Sequence, residues 1–184
     1  VEGLELGPRS FAQTNASVAS ALYEQASVWA SHPFADGRLP ESLWDLYCGV
    51  GGFALAAARA GFPRVTGVEV SSGAISSAIS AARHAGLPRS AASFIADDAT
   101  SWARAQSPED VPDVIVVNPP RRGIGADLAA FLNECDAPRV IYSSCNPASL
   151  ATDLAAMPTL RPVEGRIFDM FPHTTHAEVA LLLE

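Results

Sequence analysis

The chain offers one thiol placed to attack and one carboxyl placed to take a proton. Cys145 follows Tyr142-Ser143-Ser144, which reads as a strand end, and precedes Asn146-Pro147, which reads as a helix start. Backbone N–H groups at such a junction favour thiolate, the nucleophilic form of cysteine. Cysteine is also a commonly buried apolar residue, so position alone leaves a structural role open. Glu178 opens a strongly apolar run, Val179 to Leu183. Burial at the edge of a core raises a carboxyl pKa and suits it to act as a base, the alternative being a solvated edge glutamate. His173 and His176 are spaced to share a metal, but no third ligand accompanies them, and no metal is expected. Cys48, inside a glycine turn, and Cys135, on an alanine-rich helix, read as structural.

Asn118-Pro119-Pro120 follows the apolar run Val114 to Val117. Two prolines stiffen the backbone and remove two donors, a poor choice unless a carbonyl and an amide must be aimed. N-P-P resembles the motif with which S-adenosylmethionine-dependent methyltransferases grip a planar nitrogen heterocycle. In those that methylate amino groups an aromatic follows and stacks on the flipped base; here Arg121-Arg122 follows. A third cluster, Tyr47-Cys48-Gly49-Val50-Gly51-Gly52, ends another apolar run. Its glycines allow a tight turn and let a ligand lie on bare backbone facing the next helix. Glu69 closes the following strand, where an acid can hold a ribose diol. The turn also satisfies the loose G-x-G-x-x-G/A pattern, so a nicotinamide cofactor, or a turn that binds nothing, stays open.

The elements that position these groups alternate. Strands are predicted at Leu43–Leu46, Val65–Val70, Ala92–Ile95, Val114–Val117 and Val140–Tyr142. Helices are predicted at Gly52–Arg59, Ser72–Ala85 with Ser72 as N-cap, a weak Thr100–Ala105, Ala126–Cys135 and Ala148–Ala156. Two strands without a helix between them, Pro162–Phe168 and Glu178–Leu183, follow. Ahead of all this, Leu4–Phe11 reads as extended, Gln13-Thr14-Asn15 as a turn with an N-cap, and Ser17–Ala30 as a helix with Val18, Leu22, Ala26 and Trp29 inward. Residues 1–40 are thus a lead-in segment and 41–184 an α/β domain: a Rossmann-like, mostly parallel seven-stranded sheet with an antiparallel C-terminal pair. Ligands of such sheets sit outside the carboxyl ends of the strands. Those ends carry Tyr47 and Gly49, Glu69, Asp97-Asp98, Asn118 and Cys145.

The totals narrow the class. A chain of 184 residues with 48% hydrophobic content can bury one core. No apolar run approaches the roughly 18 residues of a membrane span, and no signal peptide opens the chain. Three cysteines without a C-x-x-C pair argue against both a disulfide framework and a four-cysteine metal site and fit a reducing cytoplasm. Net charge is −8 and all 12 basic residues are arginine. A nucleic-acid binder usually shows a basic balance, so a grip on RNA would lie largely elsewhere. The start at Val1-Glu2-Gly3, without Met, fits a segment of a longer protein.

Taken together, five segments resemble the bacterial RNA uracil-5-methyltransferases, the family of tRNA and 23S rRNA 5-methyluridine enzymes. They are Ser10-Phe11-Ala12-Gln13-Thr14-Asn15, Asp45 to Gly51, Asn118-Pro119-Pro120-Arg121-Arg122-Gly123-Ile124-Gly125, Tyr142 to Pro147, and His173-Thr174-Thr175-His176-Ala177-Glu178. The resemblance covers essentially the whole chain. It implies S-adenosyl-L-methionine as methyl donor, touched by Gln13, Tyr47, Gly49, Glu69 and Asn118, with Cys145 as nucleophile and Glu178 as base. Asp98 is added by strand order, to meet the adenine amino group. Many members carry Asp where this chain has Asn118; the Asn form, with Asp169-Met170-Phe171-Pro172-His173, is most similar to the 23S rRNA members. Full-length members add an N-terminal RNA-binding region and usually a four-cysteine iron–sulfur cluster, which the three cysteines here cannot supply. The competing expectations are a tRNA substrate, an N-P-P amino-group methyltransferase without covalent catalysis, an inactive cofactor-binding scaffold, and a dehydrogenase.

Overall fold

A computed structural model describes residues 15–170 and 177–184 of the chain. Helix α1 (Ala16–Ser31) leads into five βα units: β1 (Ser42–Leu46), α2 (Gly52–Arg59), β2 (Arg64–Glu69), α3 (Ser72–His84), β3 (Ala92–Ala96), α4 (Ala99–Arg104), β4 (Val114–Val117), α5 (Gly125–Glu134), β5 (Arg139–Ser144) and α6 (Pro147–Ala155). Strands β6 (Pro162–Phe168) and β7 (Glu178–Leu183) close the order, and a single 3-10 turn at Pro108–Asp110 precedes β4. The sheet has seven strands in the order β3-β2-β1-β4-β5-β7-β6. β1 to β5 are parallel, whereas β7 is antiparallel to both β5 and β6.

Alternation of side chains explains why the central strands are apolar throughout. Val114 and Val116 of β4 join Trp29, Leu22 and Phe53 on one face, while Ile115 and Val117 join Leu128, Leu132 and Met157 on the other. Both faces are covered, so neither parity of position is polar. Each such side chain contributes about 1.5–3 kcal/mol by burial. Helix α1 is part of this core: Leu22 and Trp29 are fully buried. Asn15 caps it by accepting from the Val18 N–H at 3.3 Å.

Two local expectations are corrected by the structure. The N-cap of α3 is Ser71, whose hydroxyl accepts from the Ala74 N–H at 3.3 Å, and Ser72 is already helical. Two adjacent serines offer the same group, and the turn after Glu69 selects the earlier one. Strand β5 continues past Tyr142 to Ser144, because β7 supplies a second ladder in which Ser143 faces Ala180 and Ser144 faces Val179. The edge strand β6 is open to solvent, with Val163 61% and Ile167 76% exposed. Leu4–Phe11, Gln13, Thr14, His173 and His176 lie outside the described residues. Among the described residues no helix is long and apolar enough to cross a membrane.

Candidate active site

The turn after β1 reverses direction through three residues with positive φ: Tyr47 at 64°, Gly49 at 54° and Gly51 at 87°. Such angles are strained for a residue with a side chain, so Tyr47 is held there, its hydroxyl 3.4 Å from Thr100 Oγ1. At Gly51 a Cβ would also meet the Phe94 ring at 3.0 Å. Beneath the turn lies Asp45, fully buried; its Oδ2 accepts from the Ala54 N–H in the first turn of α2 at 2.9 Å. Its Oδ1 is buried with no hydrogen-bond partner among the described residues. Burial, abetted by the nearby Glu69 charge and opposed by the Ala54 hydrogen bond, pushes its pKa up to about 7.

Glu69 is oriented from both sides. Its Oε2 accepts from the Gly49 N–H at 3.3 Å and its Oε1 from the Ser71 N–H at 2.9 Å. Asp98 sits at the next strand end as the N-cap of α4, its Oδ1 accepting from the Ser101 N–H at 2.9 Å. That bond holds its pKa below the usual carboxylate range. Asn118 is tied to the turn by its N–H, which donates to Leu46 O at 3.3 Å. A cavity of about 630 Å³ brings Tyr47, Gly49, Glu69, Asp98 and Asn118 onto one lining with Cys145 and Glu178. Gln13 falls outside the described residues.

At the far wall of this cavity, Cys145 stands between β5 and α6. Ser144 Oγ accepts from the Asn146 N–H and donates to the Asn146 carbonyl, both at 3.1 Å. Asn146 then caps α6 through Ala148 and donates from Nδ2 to Arg121 O at 2.8 Å, joining the thiol's turn to the proline loop. A second tie is buried: the Tyr142 hydroxyl donates to Asp153 Oδ2 at 2.5 Å, and the Ile124 N–H donates to the same oxygen at 3.0 Å. Glu178 is 1% exposed and accepts from the Ser143 hydroxyl at 2.5 Å. Burial raises its pKa against that hydrogen bond.

The expected thiolate-favouring setting of Cys145 is not found. Burial raises the thiol's pKa, the Glu178 charge raises it further, and Arg121 opposes both. Amides at a helix start are outweighed by lost hydration and a facing carboxylate. Cys48 is buried inside the turn and Cys135 closes α5, as their surroundings in the sequence suggest. Among the described residues no three His, Cys, Asp or Glu side chains converge as metal ligands.

Residues 110–184 match the family described as tRNA (Uracil-5-)-methyltransferase. The 23S rRNA (uracil(747)-C(5))-methyltransferase RlmC of Shewanella amazonensis is 48% identical over 98% of this chain and 45% of its own length. That of Halothiobacillus neapolitanus is 48% identical over 97% of this chain and 45% of its own. The chain is a relative of the RNA uracil-5-methyltransferases. Its fold agrees: the tRNA (uracil-54, C5)-methyltransferase of Pyrococcus abyssi, solved with S-adenosyl-L-homocysteine, superposes with a TM-score of 0.82 at 30% identity, over 97% of this chain and 41% of that one. The chain thus spans less than half the length of the relatives it matches. Across that span it has the sheet of an S-adenosylmethionine-dependent methyltransferase, with the antiparallel pair at its C-terminal side.

Beside the family's motif residues, three side chains bear on the site that sequence reasoning did not single out. Ser143 holds Glu178, Asp153 holds the proline loop, and Tyr23 of α1 lines the cavity. Ser143 and Asp153 carry no local signal, because their partners lie 35 and 29 residues away. Tyr23 sits beside Leu22 in a helix read for its apolar stripe, and a phenol next to that stripe passes as packing.

Proposed function

We propose that the protein containing this chain transfers a methyl group from S-adenosyl-L-methionine to carbon 5 of a uridine in RNA, with 23S rRNA as substrate. The observation that carries the proposal is the joint placement of Cys145 and Glu178 on one cavity with the glycine turn and Glu69. The cavity is large enough for a nucleoside-sized donor and a flipped base, and its donor side carries an oriented carboxylate suited to a ribose diol. The donor supplies an electrophilic methyl group on a sulfonium. Glu69, Gly49, Tyr47, Asp98 and Asn118 hold it in this reading, with Gln13.

Uracil carbon 5 is too weak a nucleophile to take that methyl group unaided. Cys145 loses its proton to solvent, favoured by the Arg121 charge, and Sγ adds to carbon 6. The resulting enolate makes carbon 5 nucleophilic, and it would take the methyl group as the methyl–sulfur bond breaks, its electron pair staying on sulfur as a neutral thioether. Glu178 then takes the carbon 5 proton, and the Sγ–C6 bond breaks to restore the 5,6 double bond and the thiolate. The raised pKa of Glu178 makes its carboxylate a stronger base than an exposed one, and Ser143 aims it. The base must leave its stack, which a single-stranded loop permits at least cost. A charge of −8 leaves most of the phosphate grip to the rest of the protein. An RNA substrate and three free thiols suit the cytoplasm.

The test is trapping on RNA that carries 5-fluorouridine, because fluorine cannot leave as the proton does. The full-length protein is expected to form an adduct stable to denaturing electrophoresis, and Cys145→Ala to abolish it. On ordinary uridine, Glu178→Gln is expected to methylate and then stall, still bound. An amino-group methyltransferase would give no adduct in any variant, and full activity of Cys145→Ala would end the covalent reading.

A further inference from the structure

Tyr23 belongs to no motif described above, yet its side chain reaches the cavity from α1. The phenol lies directly over Gly52, the first residue of α2. A Cβ there would stand 2.4 Å from Tyr23 Cζ and 2.6 Å from its hydroxyl oxygen, so a glycine is required beneath the ring. The ring is fixed by an edge-on contact with Phe53, centroids 4.8 Å apart at 75°. Burial, then the charges of Asp45 and Glu178, push its pKa up to about 12. The hydroxyl is therefore a neutral donor at every physiological pH.

Sheet order places that donor. Glu69 marks the ribose side over β2, while Asn118 and Cys145 lie across β1 at the ends of β4 and β5. A donor stretched from Glu69 with its sulfonium toward the nucleophile leaves its amino-acid end over the glycine turn and Gly52. Tyr23 stands at that spot. We propose that the Tyr23 hydroxyl donates a hydrogen bond to the carboxylate at the amino-acid end of the methyl donor. The proposal rests on the donor-site reading above. It makes Tyr23 a positioning residue that sets how far the sulfonium reaches toward the base.

The experiment compares two ligands in the full-length protein: S-adenosylhomocysteine, which has the amino-acid end, and 5′-methylthioadenosine, which lacks it. Tyr23→Phe keeps the ring over Gly52 and against Phe53 and removes only the hydroxyl. It is expected to weaken S-adenosylhomocysteine about tenfold or more, the worth of a hydrogen bond to a charged group, and to leave 5′-methylthioadenosine unchanged. Equal weakening of both ligands, or of neither, would overturn the proposal. Wild-type protein that binds neither would overturn the donor-site reading and this assignment with it.

Discussion

Asp45 makes the glycine turn costly at neutral pH, and the cost can be measured. Its carboxyl is fully buried, one oxygen has no partner among the described residues, and its pKa rises from 3.8 to about 7. A carboxyl raised in the folded state binds its proton more tightly there than in the unfolded chain. Its contribution is therefore fully present below the unfolded value and is lost as pH rises through the folded one. At about 1.4 kcal/mol per pH unit, the gap corresponds to about 4 kcal/mol, of which about 2.5 kcal/mol falls between pH 5 and pH 8. Asp45→Asn removes the titration while the amide oxygen can still accept from Ala54. Urea unfolding of both proteins at those two pH values isolates this group, because Glu178 and the cysteines titrate alike in each. The variant is expected to lose about 2.5 kcal/mol less than wild type over the interval. Equal losses would show that Asp45 titrates near its ordinary value and that its buried charge costs the turn nothing over this interval.

Other expectations follow from the same contacts. Glu69→Ala removes the acceptor shared by Gly49 and Ser71 as well as the proposed ribose ligand, and calorimetry should show S-adenosylhomocysteine binding weakened at least about tenfold. Unchanged binding would move the donor elsewhere. Asp153→Ala strands the Tyr142 hydroxyl and the Ile124 N–H in the core, each worth about 1–3 kcal/mol when left unpaired. Its urea stability should fall by about 2–5 kcal/mol, and a loss below about 0.5 kcal/mol would mean that water or a neighbour replaces the carboxylate.

Much of this molecule is legible from local pattern, and the reasons are physical. Val114 to Val117 reads correctly as a doubly covered strand, because only burial on both faces removes alternation. Pro162–Phe168 and Glu178–Leu183 match to the residue, since each is bounded by turn-forming or polar neighbours. What local pattern misses is which distant groups meet. Ser143 has no reason to matter until β7 lies beside β5 and brings Glu178 to its hydroxyl. The thiolate-favouring setting expected for Cys145 fails for the same reason, because the helix start is local and visible whereas the burial and the facing carboxylate are not. Asp98, placed by strand order alone, turns out to be engaged as a helix cap.

The position of β7 also fixes when the site can exist. It is made after β6, yet it lies between β6 and β5, so the earlier strand has nothing to pair with until the later one emerges. When β1 to β5 have been made, the edge of β5 that β7 will cover is still without its partner strand. Glu178 enters only with β7, in the same event that buries Ser143 and seats β6. In the proposed mechanism, Cys145 and Glu178 therefore meet last during synthesis, and a chain stalled before residue 178 lacks the proposed base.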